Sequence, residues 1–185
     1  MDIWEEQIKN TVYHEVGHWI AVKEFGFECQ KIKLGAVIEN DRFFLNSGAV
    51  LTFYNPSLRT LDEVLKYLEE RAVVGVSGIN CQIIALGTEV KTASERYGSG
   101  DLEKARELSF IYNGMKHPEE ESNELREEYN NEFIMKAFIK SKEIIDKNLN
   151  KIVLISERII SMIDEKKSHY DISVSQINKW YSESE

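Results

Sequence analysis

Residues 11 to 26, TVYHEVGHWIAVKEFG, place His14 and His18 four apart with Glu15 beside the first. In a helix, side chains at i and i+4 stack on one face, so two imidazole nitrogens could reach one ion. H-E-x-x-H is the pattern in which two histidines hold zinc and the glutamate takes a proton from water at the metal. Trp4, Ile8, Val12, Val16 and Trp19 recur at helical spacing on a different side from the histidines, and Gly26 offers a stop. The core stripe does not need the histidines. Two readings follow: one turn of a metal-binding helix, or polar decoration on a core helix.

The chain of 185 residues and 21.5 kDa can bury a substantial core as one domain, so no metal is needed merely to hold it together. A net charge of −9 without any Lys/Arg-rich run argues against nucleic acid and against an anionic membrane surface as partners. The start, MDIWEEQIKN, lacks a basic leader region, and no apolar run approaches the roughly 18 residues of a membrane span. A soluble, cytoplasmic protein is expected. Cys29 and Cys81 are too few for a disulfide framework and too far apart for a C-x-x-C motif.

Along the chain, CQKIKLGAVIE (29 to 39) reads as a strand. RFFLNSGAVLTFY (42 to 54) reads as two short β-prone runs with Asn46-Ser47-Gly48 as a hairpin connection. Residues 29 to 54 are thus expected to form a small antiparallel sheet. Helical spacing covers 58 to 87, ending at Gly87, with Gly75 and Gly78 permitting close packing against another helix. Further helices are expected over 101 to 114, about 118 to 148, about 149 to 167, and 173 to 183 with Ser173 as N-cap. The acidic stretch 118 to 132 reads as the solvated start of a long helix. The apolar stripes from Phe133 to Ile163 read as helices packing on one another. The expected class is mainly α with a small antiparallel β-sheet (α+β): a zincin-like metal helix, then the sheet, then a C-terminal helical bundle. Residues 1 to 115 would form the metal-site half and 116 to 185 the helical half of one domain, with the weakest boundary at 114 to 118.

A catalytic zinc normally takes three protein ligands and keeps a position open for water. His117 and His169 lie in segments with no patterned approach to the first helix. Asp101, in YGSGDLEKARELSFI, follows glycines that allow a tight turn and stands at the start of a helix, where it is either a ligand or simply an N-cap.

HEVGHWIA together with GSGDLEKARELSFI resembles the peptidase domain of the FtsH family of ATP-dependent zinc proteases, in which an H-E-x-G-H pair is joined by a downstream aspartate opening a helix. The order between them is also similar, with KIKLGAVIE, a helix, and SGINCQIIALG (77 to 87) where that family carries a G-G-x-x-A-E type stretch. The resemblance covers about residues 10 to 115. It implies His14, His18 and Asp101 as Zn2+ ligands and Glu15 as catalytic base, with Gln82 replacing a glutamate that could orient a ligand histidine. Gly98-Ser99-Gly100 also departs from the family's A-S-N. No G-x-x-x-x-G-K-S/T phosphate loop occurs, so ATP-independent hydrolysis of unfolded or flexible polypeptides is expected, with a separate unfoldase or recruiting protein as candidate partner and the oligomeric state left open. The alternatives are an inactive, peptidase-like binding or scaffold protein, motivated by Gln82, and a processing peptidase with one regulator as its target. Neither Tyr13 nor Tyr97 can be assigned an oxyanion role from order alone.

Overall fold

The computed structural model describes residues 3–39, 42–53, 56–164 and 167–183. Helix α1 (Ile3–Glu24) runs into strands β1 (Glu28–Glu39) and β2 (Arg42–Phe53), then helix α2 (Leu61–Leu86). A single helical turn, α3 (Val90–Thr92), passes into a π-helical turn at Ala93–Tyr97 and on into α4 (Ser99–Lys116). Helices α5 (Asn123–Lys147) and α6 (Leu149–Ile160), strand β3 (His169–Ser173) and helix α7 (Val174–Ser182) complete the order. The fold is mainly helical with a small antiparallel sheet, as expected. Among the described residues no helix is long and apolar enough to cross a membrane.

Local signals set most boundaries. Past the end of α1, Gly26 adopts φ 70°, a left-handed conformation that costs glycine little, and Gly87 does the same after α2 with φ 68°. At the start of α2, Thr60 accepts from the Glu63 amide while the Glu63 carboxylate accepts from the Thr60 amide, a reciprocal cap. Ser173 caps α7 by accepting from the Gln176 amide, as its residue type predicts. Helix α5 starts at Asn123 rather than near 118, with Ser122 as its cap, and α6 ends at Ile160 rather than near 167.

The sheet corrects the sequence reading in two places. Asn46-Ser47-Gly48 is not a hairpin connection. β2 is continuous through it, and the register jumps there, Gly35 facing Ser47 but Ala36 facing Leu45, so Asn46 is the extra residue of a bulge. The strands pair out to Glu39 and Arg42, and residues 40 and 41 between them lie outside the described residues. Turns and bulges draw on the same Gly and Asn preferences, which is why the segment reads as a turn. The second correction is β3, which pairs antiparallel with β1 through Ile32–Ile172 and Leu34–Tyr170 and makes the sheet order β2-β1-β3. Its HYDIS sequence alternates exposed and buried residues, with Tyr170 and Ile172 inward.

The core forms around α1. Val12, Val16, Trp19 and Ile20 are buried between the sheet (Ile32, Leu34, Leu45), α2 (Val76, Cys81) and α6 (Ile152, Ile155, Ile159). Phe133, Ala137, Ile144 and Ile145 of α5 are buried too, so the C-terminal stripes serve helix packing. Cys29 is half-buried and Cys81 buried, both as free thiols.

Helices α1 and α2 approach at glycines. A Cβ at Gly17 would stand 2.5 Å from the Ser77 carbonyl oxygen and 2.6 Å from Cys81 Cβ, so only hydrogen fits. Gly17→Ala must push the helices apart. It is expected to lower stability by about 1–3 kcal/mol, the usual cost of overpacking, read as a lower denaturation midpoint in urea. An unchanged midpoint would contradict this packing.

Candidate metal centre

On α1, His14 and His18 face α2 with ring centroids 4.6 Å apart and planes at 85°. Each ring is fixed through its Nδ1. His14 donates to Gln82 Oε1 at 3.1 Å and His18 to the Val74 carbonyl at 2.7 Å, both on α2. A carbonyl oxygen can only accept, so both Nδ1 atoms carry hydrogens and both Nε2 lone pairs point the other way.

Asp101 completes the group. It is not the N-cap of α4, a place taken by Gly98 without any side-chain cap bond, and stands instead as the third residue of the helix. The π turn supplies its position. The Gly98 amide donates back to Ala93 O at 2.9 Å, and a Cβ at Gly98 would fall 2.3 Å from Ile79 Cγ1, so this glycine seats the start of α4 directly on α2. Asp101 Oδ2 then lies 2.9 Å from His14 Nε2 and 3.3 Å from His18 Nε2, while the two Nε2 atoms are 3.0 Å apart.

Three electron-pair donors thus converge on one point, an arrangement that repels unless a cation lies between them. Ligand atoms about 2.0–2.1 Å from a tetrahedral zinc stand about 3.3 Å from one another, so the observed triangle needs only slight expansion. Room for the ion exists because residue 78 is glycine. A Cβ there would stand 2.7 Å from both Nε2 atoms. The residues fit a divalent metal of the zinc type, two imidazoles and one carboxylate.

Electrostatics agree with that geometry. Burial works against the charged form of His18, but the Asp101 carboxylate outweighs it and pushes the pKa up to about 9. For Asp101, burial is overcome by the two imidazoles, which hold its carboxyl well below the usual carboxylate range. The site favours a negative ligand and positive charge in contact, whether the positive charge is a proton or a metal.

Glu15, only 6% exposed, lies against β2. A Cβ at Gly48 would stand 2.4 Å from its Oε1, so Gly48 is small because the carboxylate needs that space. Burial raises the Glu15 pKa, with the imidazoles lowering it and Asp101 raising it further. A carboxylate moved towards neutrality is better suited to taking and returning a proton.

Gln82 keeps the contact that a glutamate would make with His14 and adds one that a glutamate could not. Its amide nitrogen donates to the Asn10 carbonyl at 3.1 Å and to Asn10 Oδ1 at 3.3 Å, and Thr88 Oγ1 also donates to that Oδ1 at 2.8 Å. Two oxygens face this end of residue 82. An amide satisfies both sides where a carboxylate would put oxygen against oxygen.

The metal group lies in a cleft of about 800 Å³. Strand β2, the sheet's edge, forms one wall with Leu45, Gly48 and Val50, and the other wall carries Arg71 and Gly75 of α2 with Tyr97 and Lys104. Gln7 of α1 occupies part of the strand edge. Its amide nitrogen donates to the Leu45 carbonyl and its oxygen accepts from the Leu45 amide at 3.1 Å, imitating a neighbouring strand. Tyr97 reaches the cleft, whereas Tyr13 points to α6 and donates to Glu157 at 3.1 Å. His117 stacks on Tyr129 at 4.3 Å and His169 lies in β3 against Ser168, so neither joins the metal group. Sequence reading missed Gly48, Gln7 and the basic wall. Their only local trace is a glycine inside a strand pattern, which signals a close approach.

No protein-family model matches the chain, and no curated protein matches it either.

Replacing Gln82 with leucine removes the acceptor that orients His14 and puts an apolar side chain of similar size in its place. Gln82→Leu is expected to weaken zinc binding about 10–100-fold, as loss of such outer partners does, measured by competition with a chromogenic chelator. An unchanged affinity would mean that Gln82 does not position His14.

Proposed function

We propose that the chain is a zinc-dependent metalloendopeptidase that hydrolyses peptide bonds of unfolded or flexible polypeptides. One observation carries this reading: His14, His18 and Asp101 converge at 2.9–3.3 Å in a cleft beside the edge strand β2, with the Glu15 carboxylate buried next to them. When bound there, zinc supplies a Lewis acid and lowers the pKa of water. Glu15 takes the proton from the attacking water and returns it to the leaving amine, a double role that suits a carboxylate whose pKa burial has raised. His14 and His18, their rings fixed through the Nδ1–H bonds, would hold the ion with their Nε2 lone pairs, and Asp101 would neutralise part of its charge.

Substrate backbone pairs with the edge of β2 beyond the position that Gln7 has taken, beside Gly48. Only an extended segment can add to a strand in this way. Segments already flexible, or opened by a separate unfoldase, meet that requirement. A processing peptidase acting on one regulator is a narrower form of the same reading. The inactive-scaffold alternative was motivated by Gln82, which in this fold retains the histidine contact.

Glu15→Gln tests the proposal, because Glu15 is no ligand. The variant is expected to keep about one zinc per chain, the stoichiometry of a three-ligand catalytic site, and to lose at least about 100-fold in cleavage of a casein-like substrate. Wild-type rates in Glu15→Gln, or no chelator-sensitive cleavage by the zinc-loaded wild type, would contradict it.

A further inference from the structure

The chain carries 32 acidic and 23 basic residues, yet its cleft has the opposite balance. Among the described residues, the carboxylates lining it are Glu15 and Asp101, both committed to the metal group, while Arg71, Arg96 and Lys104 line it as well. A divalent ion there would offset the two carboxylates, leaving Arg96 and Lys104 as positive charges that neither of them balances. Elsewhere several basic side chains are paired, Lys31 with Asp171, Arg106 with Glu127, Lys147 with Glu24 and Arg158 with Glu183. Arg96 and Lys104 make no ion pair among the described residues, and Arg96 rests over the Tyr97 ring at 5.4 Å.

Their placement is ordered. Lys104 follows Asp101 by one helical turn, and Arg71 precedes Gly75 by one turn, where a Cβ on Gly75 would meet the Asp101 carbonyl at 3.8 Å. The two cations therefore flank the α2–α4 contact that carries the metal ligand, with Arg96 on the π turn just before it. This basic wall faces β2 across the cleft. A peptide paired with β2 sends alternate side chains to opposite faces, so every second residue near the bond to be cut can reach the cations. A concave site lined by one sign of charge also concentrates ligands of the opposite sign.

We propose that this cleft selects polypeptide segments with acidic side chains close to the scissile bond. The inference rests on the peptidase reading for the cutting step, but the selection itself is a property of binding. It is therefore tested in zinc-loaded Glu15→Gln, which binds without cutting. Dye-labelled peptides, acetylated and amidated, carry Asp and Glu at alternate positions, or Asn and Gln in their place, or Lys; a fourth is the Asn/Gln peptide with a free C-terminal carboxylate.

By fluorescence anisotropy at low salt, the acidic peptide is expected to bind about tenfold more tightly than its Asn/Gln counterpart, with the lysine peptide weakest. The advantage shrinks at high salt and is lost in a Glu15→Gln background carrying Arg96→Glu and Lys104→Glu, whose exposed positions leave the core untouched. Equal binding of acidic and neutral peptides, absence of binding by the acidic one, or an advantage confined to the free C-terminus would overturn the proposal. Cleavage by the wild type separates the two claims. An acidic peptide that binds selectively but is never cut refutes the peptidase reading alone, and equal cutting of all peptides refutes the selectivity alone.

Discussion

Everything at the candidate site depends on how closely α1 and α2 approach. Gly17 meets the backbone at Ser77, and Gly78 meets the two imidazoles, so at each contact one of the two helices has no side chain. That approach brings Val74 O and Gln82 Oε1 within hydrogen-bond distance of His18 and His14 and turns both Nε2 atoms outward. It also leaves the space that a Cβ at residue 78 would fill. Two glycines that weaken their helices locally thus create a rigid pair of ligands, a cost in propensity offset by packing.

The remaining elements bring chemistry to that pair. The π turn and Gly98 seat α4 on Ile79 and aim Asp101 at the imidazoles, while the bulged strand β2 passes over Glu15 with Gly48 at the closest point. Burial then acts differently on the two acids. Asp101 faces two imidazoles and stays ionised, whereas desolvation dominates at Glu15 and raises its pKa. Two carboxylates with diverging environments can take two roles, one as ligand and one as proton carrier.

Much of this was legible in the sequence because the signals are local. His14, Glu15 and His18 sit within one turn of an amphipathic helix, and Gly26, Gly87 and Ser173 mark ends by their own conformational preferences. What escaped reading depends on partners distant in the chain. β3 is five residues whose partner β1 lies far upstream, and only that pairing makes its alternation a strand. Asp101 could be a cap or a ligand until Ile79 fixes the start of α4, and Gln82 looked like a weakened glutamate until Asn10 supplied the oxygens that call for an amide. The Asn46-Ser47-Gly48 segment was ambiguous for another reason, since turn and bulge use the same residues.

The three-ligand site is the central claim, and metal content tests it most directly. Elemental analysis of purified protein, wild type beside Asp101→Ala, should find about one zinc per chain in the wild type and little in the variant, because two histidines alone make a weak site. A wild type that neither contains nor takes up zinc, or an Asp101→Ala protein that holds it as well as the wild type does, would contradict the account.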